Sequence, residues 1–475
     1  VTKLIYPPAV AAVLILAAWC HAQPFRADID RWVAQDAIAA PDSGSILFTG
    51  SSSIRRWEQL ALDFADYRIL QRGFGGSQFE DLNGYVNDIV LPYSPSAIVI
   101  WEGTNDINSG ETGDEVVADY QNFVNLVHTT QPNVEIFWLG IMPTPGRFSL
   151  EAENTSANTQ IAGLAAANSR LHYVDLPTAF NALNPPSDAA FTSKFVDPIH
   201  LNRDGYELWT SVIRPQIEAV VAPNKVFTPN ATTLQPGGRL LFDFGPSNPE
   251  DGDLTLGPDA NGSTWNNWHP AEGNVAVNAG ERITDLLDTE GSATGIDLTI
   301  TGGFATNGKL QGGLLAPSQT LLGDLAVATA TQDYFFSSAD GLQGGGNDDR
   351  PGGFMLDGLD PNLTYNFRFF GSRNTTQVRE TEYLVTGANR ASDRLQASGQ
   401  NIGANGVYDG NESRIAEVSG IRPDRFGQVF VDVTLVSGSF AYLNAMEVTV
   451  VVPEPTSFGV CSIALFVSGM RRCRL

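Results

Sequence analysis

The sequence predicts an α/β domain built on a parallel sheet, followed by an all-β domain. Three observations carry this: β-rich runs alternate with helical patterns up to about residue 222, apolar residues alternate every second position beyond it, and glycine is redistributed across the same boundary. Of the 47 Gly, 13 precede residue 226, 32 fall between 226 and 450, and 2 follow. In the first part the strand candidates are Ser45 to Phe48, Tyr67 to Leu70, Ala97 to Trp101, Val134 to Leu139 and His172 to Val174. Between the third and fourth, Val116, Val117, Tyr120, Phe123, Val124 and Val127 mark one helix face, opened by a Thr112 to Glu115 capping box. Leu208, Trp209, Val212 and Ile213 mark a last helix. Strands that alternate with helices imply a parallel sheet covered on both faces. The polar stretch Arg147 to Asn158 reads as a lid or a loop.

In the second part Leu363, Tyr365, Phe367 and Phe369 alternate with polar residues, as do Val429, Val431, Val433 and Leu435, and Ile296, Leu298 and Ile300. Short strands joined by Gly, Asn and Asp turns, with no long helix, predict a β-sandwich. The opening Leu241-Phe242-Asp243-Phe244-Gly245 and the ending Tyr442-Leu443-Asn444-Ala445-Met446-Glu447 loosely resemble galactose-binding-like or malectin-like jelly rolls. Trp265 and Trp268, beside Asn266, Asn267 and His269, suit either core packing or stacking on sugar rings. The Gly346-Asn347-Asp348-Asp349 loop reads as a solvated turn, with Ca²⁺ binding as the alternative.

With 53 acidic against 28 basic side chains the chain carries a net charge of −25 over its 475 residues. So negative a surface repels phosphates, which excludes nucleic acid and an anionic membrane surface as partners. The 3 Cys are Cys20, Cys461 and Cys473, all in terminal segments, so the body offers no disulfide, thiolate zinc site or Cys nucleophile. Lys3, an apolar run from Ala9 to Trp19 and Cys20-His21-Ala22 predict a secretory signal peptide over residues 1–22, with a lipoprotein or uncleaved anchor as the competing reading. At the other end Val452-Pro453-Glu454-Pro455 leads into an apolar run from Thr456 to Met470 and then Arg471-Arg472-Cys473-Arg474. That order resembles the PEP-CTERM sorting tail of Gram-negative bacteria. The resemblance implies recognition by an exosortase-type enzyme, transient membrane insertion through the tail, and a place in the cell envelope or extracellular matrix. The alternative is a plain C-terminal anchor.

Four motifs follow predicted strands, and in an open parallel sheet such loops gather at the ligand-binding edge. The first is Gly50-Ser51-Ser52-Ser53, a small-residue turn into a helix; the second is Arg72-Gly73-Phe74-Gly75-Gly76-Ser77. The third is Glu102-Gly103-Thr104-Asn105-Asp106, and the fourth is Asp197-Pro198-Ile199-His200-Leu201-Asn202 before the last helix. Each alone has a plain reading: a helix cap, a flexible loop, a turn-forming Asn, a chance Asp and His. Together they supply a hydroxyl nucleophile, a base, an anion to orient it and oxyanion donors, the set that ester hydrolysis needs. His128 and His172 have quieter explanations, at a helix end and a strand start.

The chain order Ser, Gly, Asn, His in these blocks resembles the SGNH or GDSL hydrolases over about residues 45–222. The resemblance implies a flavodoxin-like three-layer α/β/α domain, a carboxylic ester hydrolase, and no metal or organic cofactor. It makes Ser52 the nucleophile, Asp197 and His200 its triad partners, and Gly76, Asn105 and the Ser52 N–H the oxyanion hole. The family's usual Gly-Asp-Ser is here Gly50-Ser51-Ser52, which removes a carboxylate beside the nucleophile and leaves Ser51 and Ser53 as competitors. The chain is thus parsed as signal peptide 1–22, hydrolase domain 23–222, linker 223–232, jelly-roll-like β-sandwich 233–450 and tail 451–475. The expected substrate is an ester, acyl or acetyl, on a polysaccharide. The competing class is a non-catalytic surface protein that binds carbohydrate through an inactive hydrolase fold.

Overall fold

A computed structural model describes residues 24–38, 40–225, 234–246, 250–268, 276–338 and 352–452. The predicted leader, the three Cys, His269, the Gly346 to Asp349 loop and the tail from Pro453 lie outside those residues. No helix among the described residues is long and apolar enough to cross a membrane. By its contacts the chain falls into two compact units, Val1–Arg55 with Leu70–Asp188, and Arg56–Ile69 with Ala189–Leu475.

The first unit is built on five strands, β1 (Ile46–Gly50), β2 (Ile69–Gly73), β3 (Ala97–Trp101), β4 (Glu135–Leu139) and β5 (Leu171–Val174), in the order β2-β1-β3-β4-β5. The β1–β3, β3–β4 and β4–β5 pairings are parallel. Every residue of β1, β3 and β4 is buried, as continuous apolar runs such as Ala97-Ile98-Val99-Ile100 require of strands covered on both faces. This order reverses between β1 and β3, and the loops leaving those two strands flank the crevice where open α/β sheets bind ligands.

The longer helices that accompany the sheet are α1 (Arg26–Ile38), α2 (Phe79–Ile89), α3 (Gly113–Thr130) and α4 (Glu151–Ala167). The predicted capping box opens α3: Thr112 Oγ1 accepts from the Glu115 N–H at 3.3 Å, and Glu115 Oε2 accepts from the Thr112 N–H at 2.7 Å. Val116, Val117, Tyr120, Phe123 and Val127 form its buried face. Helix α4 replaces the expected lid or loop over Arg147 to Asn158. Its polar residues face inward where backbone needs them: Asn158 Oδ1 accepts from the Ile141 N–H at 2.8 Å and Nδ2 donates to the Ile141 carbonyl at 2.9 Å. Helix α1 has no strong apolar stripe. It is tied to β2 by the buried Arg72, which pairs with Asp36 at 2.8 Å, donates to the Tyr93 hydroxyl at 3.1 Å and lies 5.3 Å from the ring centre of Trp32.

In the second unit helix α5 (Arg203–Glu218) buries Tyr206, Trp209, Ile213 and Ile217. Trp57 packs 5.3 Å from the Tyr206 ring and 5.6 Å from that of Trp209, and Arg203 and Arg214 pair with Asp63 and Asp66. The rest is β-rich, in sheets of six, five and four strands. The six-stranded sheet includes Asp297–Gly302, Gly352–Asp357, Arg379–Thr386 and Gln428–Ser437; the five-stranded one includes Arg239–Phe244, Tyr365–Phe370 and Ala445–Val450. Leu298, Phe354 and Val431 of the former share one core with Phe242, Phe367 and Val448 of the latter, an arrangement consistent with a β-sandwich. The period-two pattern has its expected cause: Tyr365, Phe367 and Phe369 are buried, while Asn366 and Arg368 are half-exposed. Trp265 and Trp268 are both buried, Trp265 Nε1 donating to Asp259 Oδ2 at 2.9 Å, which leaves neither ring face for a sugar.

Candidate active site

The turn after β1 is fixed by backbone geometry. Gly50 has φ +123°, and a Cβ there would lie 2.2 Å from the Trp101 carbonyl oxygen, so only glycine fits. That carbonyl accepts the Ser51 N–H at 3.0 Å, and the Ser51 carbonyl accepts from the Ile54 and Arg55 N–H groups, opening the short helix Ser52–Arg55. Ser51 and Ser53 are buried; Ser52 is the half-exposed member of the trio.

The loop after β2 closes on this turn. The Phe74 N–H donates to the Gly50 carbonyl at 2.9 Å, and a Cβ on Gly75 would come within 3.8 Å of Ser52 Cβ. Gly76, at φ +90°, is exposed, and its N–H has no acceptor among the described residues. The loop after β3 is tied to it by Asp106, whose carboxylate accepts from the Phe79 N–H at 2.7 Å and the Gly103 N–H at 3.1 Å. Burial lifts the Asp106 carboxyl to about 6 against those two donors. Burial, reinforced by Asp106, also pushes the Glu102 carboxyl well up, while the Ser77 hydroxyl donates to Glu102 Oε1 at 2.5 Å.

Asn105 sits on the same shelf, half-exposed. Its Nδ2 donates to the Ser77 carbonyl at 2.8 Å, and its Oδ1 accepts from Arg147 Nη1 at 2.9 Å. Arg147 also donates to the Thr104 carbonyl and hydroxyl, both at 3.1 Å. The amide's orientation is therefore dictated: the cation holds the oxygen and the NH₂ turns toward the Gly76-Ser77 turn. Ser77 and Asp106 lie in the predicted motifs and Arg147 opens the predicted polar stretch, but the sequence gives none of them a role, because their contacts run between loops far apart in the chain.

In the second unit Asp197 and His200 form a pair. His200 Nδ1 lies 2.6 Å from Asp197 Oδ2, and Asp197 Oδ1 accepts the Ile199 and His200 N–H groups at 2.7 and 2.8 Å. Burial works to raise the Asp197 carboxyl, but the His200 ring and those two backbone donors outweigh it and hold the group below its ordinary value. An ionised Asp197 fixes the proton on Nδ1 and leaves Nε2 as the basic nitrogen. The loop is braced at both ends: the Val196 N–H donates to the His200 carbonyl at 2.9 Å, and Asn202 caps α5 through the Gly205 N–H at 3.1 Å. Arg56 Nη1 stands 3.3 Å from the same Asp197 Oδ2, a longer contact than the imidazole makes. The other described histidines are structural: His128 Nε2 meets the Val134 carbonyl at 3.1 Å, and His172 pairs with Glu135 at 2.8 Å while stacking on Phe137.

Residues 38–208 match the model of the GDSL-like Lipase/Acylhydrolase family. The human platelet-activating factor acetylhydrolase IB subunit alpha1 is 27% identical over 189 residues, covering 37% of this chain and 75% of the relative. The rat alpha2 subunit is 27% identical over 191 residues, covering 37% and 79%. Among solved structures, a GDSL-like lipase from Bacteroides thetaiotaomicron aligns with TM-score 0.36 and 19% identity over 41% of this chain and 99% of that one. An acetyl-xylooligosaccharide esterase from Geobacillus aligns with TM-score 0.32 and 17% identity over 37% and 95%.

Proposed function

We propose that the GDSL-like lipase/acylhydrolase domain of residues 38–208 works as a serine esterase that cleaves carboxylic esters through an acyl-enzyme. The observation that carries the reading is the Asp197–His200 pair, whose short Nδ1 contact and ionised carboxylate suit a general base. In this reaction His200 Nε2 takes the Ser52 hydroxyl proton as Ser52 Oγ bonds to the acyl carbon. The Gly76 N–H, Asn105 Nδ2 and the Ser52 N–H hold the oxyanion. Collapse breaks the ester C–O bond, and the leaving alcohol takes the proton from His200. Water, deprotonated by His200, then attacks the acyl-enzyme and releases the acid. Asp197 orients and stabilises the imidazolium without accepting the proton. No metal or organic cofactor takes part.

The word acetylhydrolase in the relatives' names supports a short acyl group. The alcohol half is proposed to be a polysaccharide, with the β-sandwich, folded as a jelly roll, as an accessory domain. The leader and the PEP-CTERM-like tail fit export to the cell envelope or matrix, with an exosortase-type enzyme acting on the tail; a mature protein beginning at Gln23 is the expected mass-spectrometric result. The test of activity is direct. The purified chain should hydrolyse nitrophenyl acetate and butyrate and release acetate from acetylated xylan. Silence across that panel would leave a non-catalytic carbohydrate-binding surface protein instead.

Two substitutions probe the oxyanion shelf. Asn105→Ala should keep the wild-type melting temperature and lose about 10²–10³ in kcat, the usual effect of deleting one such donor. Arg147→Met should leave the amide in place but free to rotate, so kcat is expected to fall about tenfold with KM unchanged, the scale of one charge-assisted hydrogen bond. Steady-state kinetics on nitrophenyl acetate read both.

A further inference from the structure

The four-stranded sheet of the second unit, Ala276–Val277, Phe304–Asn307, Tyr334–Ser337 and Ala441–Leu443, has two unlike faces. Phe304, Phe335 and Leu443 point into the sandwich core; Tyr334, Phe336 and Tyr442 form a buried aromatic layer on the other side. Tyr334 and Tyr442 meet edge to face with ring centres 5.1 Å apart. Over this layer lie two half-buried arginines. Arg373 stands 5.6 Å from the Tyr334 ring centre and donates Nη1 to its hydroxyl. Arg379 stands 5.2 Å from Phe440 and 5.6 Å from Tyr442, and donates Nη1 to the Tyr442 hydroxyl.

Neither guanidinium has a carboxylate partner among the described residues. Three other arginines of the β-rich region do have one: Arg368 pairs with Glu447 at 2.6 Å, Arg239 with Glu447 at 3.1 Å and Arg394 with Glu382 at 3.4 Å. Arg379 Nε donates to Gln377 Oε1 at 2.9 Å, whereas the buried Arg373 Nε has no acceptor. Asp251 bears on Arg373 electrostatically, but its Oδ1 already accepts from the Leu310 N–H at 3.0 Å. The Tyr334 proton goes to the Gln311 carbonyl at 3.2 Å, while the Tyr442 hydroxyl accepts from Arg379 and has no acceptor for its own proton among the described residues. Burial, with the charge of Arg379 beside it, holds the Arg373 guanidinium below its ordinary value. Stacking on aromatic faces offsets only part of the desolvation of each cation. Withdrawing a charge from water costs more than such stacking returns unless a counter-charge answers it. The arrangement is therefore short of one anion in direct contact, since among the described residues no carboxylate is hydrogen-bonded to either guanidinium.

We propose that Arg373, Arg379 and the Tyr442 hydroxyl form a binding site for an oxyanion, the carboxylate, sulfate or phosphate group of a ligand. The two planar forks and the phenolic proton are the donor set that such a group accepts. The site lies in the β-rich region and does not depend on the esterase reading.

Calorimetric titration of the full chain with sodium glucuronate, sodium sulfate and sodium phosphate, at an ionic strength fixed with NaCl, tests it. Saturable one-to-one binding of at least one of the three is expected, and the tightest arm identifies the source of the oxyanion. Arg373→Gln and Arg379→Gln should each weaken that binding about tenfold or more, the scale of a lost charged hydrogen bond. Tyr442→Phe removes only the hydroxyl, keeps the ring packing, and should weaken binding several-fold even if an arginine variant fails to fold. Hydrolysis of nitrophenyl acetate should be unchanged in every folded variant. No saturable binding of any of the three anions, or wild-type affinity in folded Arg373→Gln and Tyr442→Phe, overturns the proposal.

Discussion

Ser52→Ala is expected to fold as the wild type does and to hydrolyse nitrophenyl acetate about 10⁶-fold more slowly, the scale on which a triad enzyme loses turnover without its nucleophile. His200→Ala should lose about as much, and the double variant no more, if nucleophile and base act as one unit as the proposed reaction requires. Ser51→Ala and Ser53→Ala are the controls. Both side chains are buried in the turn, so they should retain turnover within a few-fold while losing some stability. A serine-directed phosphonate should label the peptide bearing Ser52 and fail to label the Ser52→Ala chain. If Ser53→Ala were silent and Ser52→Ala active, the nucleophile would have to be reassigned by one position.

The second large effect is at Asp197. Asp197→Asn preserves size but presents an NH₂ or a neutral oxygen to Nδ1, so the imidazole loses its fixed tautomer; a fall in kcat of about 10⁴ is expected. Stability should respond to pH in a definite direction. The folded carboxyl lies below its ordinary value, so its contribution is complete above the unfolded pKa of about 3.9 and is lost as pH falls through the folded one. Thermal melts of wild type and Asp197→Asn should therefore converge as the solution is acidified below that window. Melts that stay parallel down to the lowest pH would mean that the carboxylate is not preferentially ionised in the folded chain.

Much of the fold was legible where the determinants are local. The alternation of strand and helix, the continuous apolar runs of β1, β3 and β4, and the reciprocal Thr112–Glu115 cap are all short-range, and the structure has them within a residue or two. Helices α1 and α4 were not legible, because neither is held by an apolar stripe. Each buries only a few apolar residues, Ile29 and Trp32 in the first and Ala157 and Ile161 in the second, and adds a polar tie, the Arg72–Asp36 pair and an asparagine that satisfies Ile141 backbone. The same division runs through the site. Glycines at forced dihedrals and an Asp three residues before a His leave marks in sequence. Arg147 reaching Asn105 from beyond β4, or Asp106 joining two loops, leaves none, since nothing in a single chain announces a contact made across some tens of residues.

The Arg72 cluster bears on how the opening helix is joined to the sheet. A guanidinium sealed beneath Trp32 and Tyr93 depends for its neutrality on Asp36, which belongs to the opening helix. Removing the Asp36 carboxylate would break a buried ion pair, a change that costs about 3–5 kcal/mol, comparable to the whole margin of many domains. The opening helix is thus clamped to the sheet by a buried charge pair as well as by the packing of Ile29 and Trp32.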